Sequence, residues 1–163
     1  MHARIIEITK SPLRKDERLV SCAVPDWFVG SIADYTDDLK PDVQKAVVEN
    51  FYKSLVSHCV IEHNAENGSF QLLPDGKEKY FQAAYGVFLD SAKKLSNCPF
   101  SEFAEGSSTL RGNLWRVNNA YCDEYDTYIF DDDNELRPFD KWVRFYAKVG
   151  VPYYFGGVVD YHY

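Results

Sequence analysis

The chain has 163 residues, 45% of them hydrophobic and 26% charged, and carries a formal net charge of −7. That is enough apolar material for one continuous core without disulfide staples, and too much for a disordered chain. The acidic balance, with a pI near 5.0, disfavours sequence-blind binding to nucleic acid or to an anionic membrane, and no apolar run approaches the roughly 20 residues that span a bilayer.

In chain order, Met1–Leu19 contains no apolar h-region, which reads as a cytoplasmic chain without a secretory signal. In that compartment Cys22, Cys59, Cys98 and Cys122, with no C-x-x-C pair among them, read as reduced thiols, mostly buried. Residues 3–9 predict a strand, and "RLVSCAV" (Arg18–Val24) its hairpin partner across the charged tip "KSPLRKDE". Asp26 is placed to cap a short helix that Gly30 weakens. From Pro41 the residues Val43, Val47, Phe51 and Leu55 recur every fourth position and predict a helix with proline in its first turn. In "VIEHNAENGSFQLL" the pair Asn67-Gly68 predicts a two-residue hairpin turn, with Ala65 opposite Phe70 and His63 opposite Leu72, so that the apolar residues share one face.

A second helix follows from Asp75 to Leu95. Asp75 and Glu78 have the spacing of a capping box, and Phe81, Ala84, Tyr85, Phe88, Ala92 and Leu95 trace a face expected to lie on the sheet. "FSEFAEGSSTLRGN" (100–113), punctuated by Gly and Ser, reads as a long loop. "LWRVNNAY" (114–121) and "YDTYIF" (125–130) read as strands joined by an acidic turn. Pro138 to Gly150 predicts a helix with Phe139, Val143 and Tyr146 inward, and "PYYFGGVVDYHY" (152–163) a Gly-Gly hairpin. The expected fold over 1–163 is a single α+β domain, with a largely antiparallel sheet built from hairpins and three or four packed helices.

Chemical signatures are sparse. The acids of "FDDDNE" place Asp131, Asp133 and Glu135 at the first, third and fifth positions of a calcium loop. Leu136 then stands where glycine is needed and Trp142 where the twelfth-position carboxylate belongs. The run reads as a polar turn ahead of a helix, with no metal site. His58, Cys59 and His63 are close in sequence, but no further zinc ligands follow at recognisable spacing, and Cys59, Ile61 and His63 share the apolar hairpin face, which predicts a buried cysteine and a hydrogen-bonded core histidine. No nucleophile elbow, phosphate loop or dinucleotide fingerprint occurs, and no cofactor is implied. Lys10, Arg14, Lys15 and Arg18 form a basic tip diluted by Asp16 and Glu17.

Aromatic residues carry the functional expectation. Of 26 Phe, Trp and Tyr residues, 13 lie after position 120, more than one face of a short hairpin can bury. Tyr153, Phe155 and Val158 should share one face of the C-terminal hairpin, and Tyr154, Val159 and Tyr161 the other, with one set closing the core against Trp142 and Tyr146. The leading reading is a non-catalytic protein that binds another protein or itself through Tyr153, Tyr154, Phe155, Tyr161 and Trp142, with Asp131 and Asp133 at the rim and Tyr154 facing out. One alternative is a small hydrolase using acids of the 123–135 region or His58 and His63. Another is a nucleic-acid-associated protein using the basic tip, which the net charge disfavours.

Overall fold

The computed structural model describes residues 1–163. Its elements are β1 (His2–Thr9), β2 (Tyr35–Asp38), α1 (Pro41–Ser57), β3 (Ile61–Asn64), β4 (Ser69–Leu72), α2 (Gly76–Ser96), α3 (Phe100–Glu105), α4 (Ser108–Tyr121), β5 (Tyr128–Asp131), β6 (Leu136–Pro138), α5 (Phe139–Lys141) and β7 (Tyr153–His162). A π-helical turn, Trp142–Tyr146, continues α5. The strands form one sheet in the order β3-β4-β7-β1-β5-β6, with β2 also paired to β7. Only the β1–β5 pair is parallel. The fold is α+β, as the sequence predicts. No helix is long and apolar enough to cross a membrane.

β1 reads as a run of isoleucines because it is buried on both faces: Ile5, Ile6 and Ile8 are each at most 1% exposed. Its antiparallel neighbour is β7, not Arg18–Val24. That segment forms no strand. It crosses the sheet as irregular chain with a short 3₁₀ turn at Ser21–Ala23, and the Leu19 N–H donates to the buried Glu7 carboxylate instead of to a strand. Asp26 starts no helix either; the chain there turns repeatedly and is closed by a bridge between Val29 and Ala33.

The C-terminal segment is one strand of 10 residues, and Gly156-Gly157 is a bulge within it. Ile6 faces Val158 and Ile8 faces Phe155, so Glu7 alone opposes both glycines. Close approach explains them. A Cβ on Gly156 would lie 2.1 Å from Glu7 Oε2, and one on Gly157 2.3 Å from the Leu19 carbonyl oxygen. Glu7 Oε2 accepts the N–H of Gly157 at 2.7 Å and that of Leu19 at 2.8 Å. The expected face sets survive nonetheless, because a one-residue bulge and a two-residue turn both return position 158 to the side of position 155. Tyr153, Phe155 and Val158 join Ile6, Ile8 and Ile129 on one face, beneath α1 and the Phe139–Tyr146 segment. Val159 and Tyr161 join Ile5 and Tyr128 on the other, covered by Leu19, Val24, Phe28 and Ala33.

The β3–β4 hairpin exists with a longer loop than expected. His63 opposes Phe70 and Ile61 opposes Leu72, leaving Ala65–Gly68 as the loop. Only Gly68 of the Asn-Gly pair takes positive φ, at 72°. Asn67 Oδ1 instead accepts from the N–H and hydroxyl of Ser69. The register moves by two residues, so the apolar face is unchanged and Ile61, Phe70 and Leu72 are buried.

α1 lies on the sheet through Val47, Phe51 and buried Leu55, as its spacing predicts. α2 departs from expectation. Its Asp75 makes no capping bond and pairs with Lys79 instead. Only its first turns, through Tyr80 and Phe81, reach the core over the sheet; the rest pairs with α4. Residues 100–113 and 114–121, expected as a loop and a strand, are α3 and α4. Ser107 caps α4 by accepting the Leu110 N–H at 3.1 Å. Its inward residues Leu110, Asn113, Val117 and Ala120 then recur at helical spacing. The helix expected from Pro138 to Gly150 ends at Tyr146.

Candidate interaction surface

The arm formed by α2, α3 and α4 is clamped to the body at one end. Tyr80, on the first turns of α2, packs edge-on against Phe139 and its hydroxyl donates to Asp140 Oδ1 at 2.6 Å. The other carboxylate oxygen of Asp140 accepts the Asp123 N–H just beyond α4. Burial holds the Asp140 carboxyl above the usual carboxylate range, opposed by these two hydrogen bonds. Burial, with the Asp140 charge beside it, also raises the Tyr80 phenol, which therefore stays a donor. Arg144 completes the clamp. Its guanidinium lies over the rings of Phe81 and Tyr121 and donates to the Tyr121 carbonyl, while Lys77 donates to the Arg144 carbonyl.

Beyond the clamp the arm has only itself to pack on. Ser91 of α2 and Asn113 of α4 are buried, and Phe88, Ala92 and Leu95 are partly covered. The remaining large apolar side chains are mostly open to solvent. Phe100 is 84% exposed, Phe103 68% and Trp115 64%. Tyr85 and Leu89, one turn apart on α2, and Leu114 on α4 are exposed as well and flank the seam between the helices. The arm carries six Lys or Arg against four Asp or Glu over residues 76–121, although the whole chain is acidic. No family model, no curated protein and no solved structure matches this chain.

The residues nominated from the sequence are distributed differently. Tyr153 is 3% exposed, Tyr161 0% and Trp142 4%, so none of them can offer a free surface. For the two tyrosines the reason is topological, since β7 is an interior strand with a core on each side, and Trp142 is buried against Phe139 and Tyr153. Tyr154 and Phe155 are half-buried. Asp131 is buried and ion-paired with Arg137 rather than standing at a rim, and only Asp133 is exposed. The acid run does form the expected turn: Asp131 Oδ1 accepts the N–H of Asp133 and of Glu135, Asn134 takes φ of 56°, and Asp132 accepts the Lys10 N–H. No three His, Cys, Asp or Glu side chains are grouped to hold a metal ion. Cys59 is exposed and His63 only half-buried, so neither is the core residue expected; His58 bonds to the Ser54 carbonyl and His63 stacks on Tyr52, each without a carboxylate partner.

The arm is hidden in the sequence because residues 100–113 have the punctuation of a loop and 114–121 the alternation of a strand. Its signal was present in the Ser107 cap and in the spacing of Leu110, Asn113 and Val117.

Proposed function

We propose that this chain acts by protein association, with the helical arm as the interface and a second copy of the chain as its occupant. The observation that carries the reading is the uncovered apolar surface of α2–α4. Covering Phe100, Phe103 and Trp115 would return on the order of 10 kcal/mol gross per copy, from the area of aromatic side chains and the usual area coefficient. That is the size of the rigid-body entropy cost of association. Two copies that cover each other double the gain against a single such cost, and two helical pairs stacked face to face make a four-helix layer with a symmetric interface.

Sedimentation equilibrium from micromolar to several hundred micromolar tests it. The wild type should sediment as a dimer, and Phe103→Ser should shift it towards monomer with an unchanged circular dichroism spectrum. A wild type that remains monomeric across the range overturns the reading.

A second reading rests on a different observation. Glu124 and Glu135 line one cleft of about 490 Å³ together with Trp27, Phe145, Tyr146 and Lys141. Aromatic walls beside two carboxylates suit a sugar, which favours the small-hydrolase alternative in the acidic 123–135 region. Turnover of aryl glycosides, lost in Glu124→Gln or Glu135→Gln, would support it. Absence of turnover across gluco-, galacto- and N-acetylglucosaminides would remove it.

A further inference from the structure

We infer that the cleft between the Lys15–Val20 segment and α1 binds a small amphipathic anion, a carboxylate carried on an apolar body. At about 630 Å³ the cleft is of the size that takes one small ligand. Its apolar lining comes from three elements: Leu19 beneath the segment, Val48 and Tyr52 on α1, and Phe155 of β7. The Leu19 N–H bond to buried Glu7 ties the segment to the bulge in β7, so the lip is fixed to the same strand as the lining.

Charge identifies the other end of the ligand. The basic residues of the N-terminal region are mostly neutralised within the chain. Arg4 pairs with Asp160, Lys10 with Asp132, and Arg14 with Glu17. Lys15 and Arg18 make no ion pair, and both line this cleft. The one carboxylate in the lining, Glu49, stands between Lys45 at 3.8 Å and Lys53 at 3.5 Å. Two uncompensated cations at the mouth of an apolar cleft, on a chain of net charge −7, complement a single anionic head with a hydrocarbon tail. Two cations are too few, and the cleft too short, for a tracked phosphate backbone.

Titration calorimetry with sodium octanoate, below its micellar concentration, tests the assignment against neutral octanamide. Octanoate should bind one to one, and octanamide at least about tenfold more weakly, the loss expected when a charge-assisted hydrogen bond is removed. Lys15→Gln with Arg18→Gln should lower octanoate affinity by a similar factor, and Val20→Glu, which places an anion at the exposed lip, should do the same by repulsion. Arg14→Gln, outside the cleft, should leave binding unchanged. Circular dichroism of each variant establishes that it is folded. No saturable binding into the millimolar range, equal binding of octanamide, or full affinity in the double variant would each overturn the inference.

Discussion

The sheet and the helical arm are built from the same kinds of residue and treat them in opposite ways. Tyr153 and Tyr161 lie beneath cover because β7 is an interior strand and each face of the sheet has a layer over it. Tyr85 and Trp115 are no more polar, yet they are exposed because the paired helices α2 and α4 cover only their shared seam. Aromatic content alone therefore says little about a binding surface. What matters is how many neighbours the topology gives an element. The interior strand is so closely surrounded that it needs glycine to fit, whereas Gly86, Gly106 and Gly112, beyond the clamped end of the arm, would meet nothing within 4 Å of an added Cβ.

The sharpest test of this contrast is alanine scanning of glycines in the two regions. Gly156→Ala should lower unfolding free energy by roughly 3–5 kcal/mol, since overpacking is added to displacement of the Glu7 carboxylate from its two N–H donors. Urea denaturation would measure it, and a loss under 1 kcal/mol would mean that the bulge relaxes freely. A Cβ on Gly86 of α2 meets nothing within 4 Å. Gly86→Ala should accordingly act with the opposite sign, raising stability by about 0.5–1 kcal/mol through helix propensity.

The clamp joins the two regions, and its effect should depend on pH. Ionising Asp140 in the folded chain is unfavourable, because burial raises its pKa above the ordinary 3.8. Its stabilising contribution is thus present below the unfolded-state value and is lost as pH rises through the folded one. The Tyr80 hydroxyl bonds best to the ionised form. Tyr80→Phe should therefore cost about 1–2 kcal/mol at pH 7 and distinctly less at pH 4, a size between that of the two glycine effects. Equal losses at both pH values would show that packing, not the carboxylate, accounts for the tyrosine. Phe103→Ser should have the smallest effect, within about 0.5 kcal/mol of wild type in the monomer, because Phe103 is 68% exposed and little of its ring is buried within the chain.

Much of the body was legible because its signals are local. The spacing of Val47, Phe51 and Leu55 gave α1, and strict alternation gave the correct buried face of β3 and β4 even with the turn two residues out. The Gly-Gly pair shows the limit. A glycine required for a turn and one required by an approaching carboxylate look alike in sequence, and the second depends on Glu7, far away in the chain. "LWRVNNAY" failed for a related reason. Its alternation is that of a strand over a few residues, and only a longer window reaching back to Ser107 and Leu110 exposes the helical period. The candidate surface was illegible because exposure is decided by what lies above a residue, and nothing in residues 76–121 announces that α2 leaves the sheet after Phe81.

The pairing of β1 with β7 joins the first strand to the last, and the Met1 amine reaches the Tyr163 carbonyl. A nascent chain emerging from the ribosome could thus form α1, the β3–β4 hairpin and the α2–α4 arm well before Tyr153 is made, yet Ile5, Ile6 and Ile8 would wait for their main partner until the last codons of β7 had been read. Completion of the sheet must therefore wait for β7, whatever else has already formed. Loop closure over nearly the whole chain makes it a slow step, and an isoleucine-rich strand left exposed during that interval is the segment a holding chaperone would meet first.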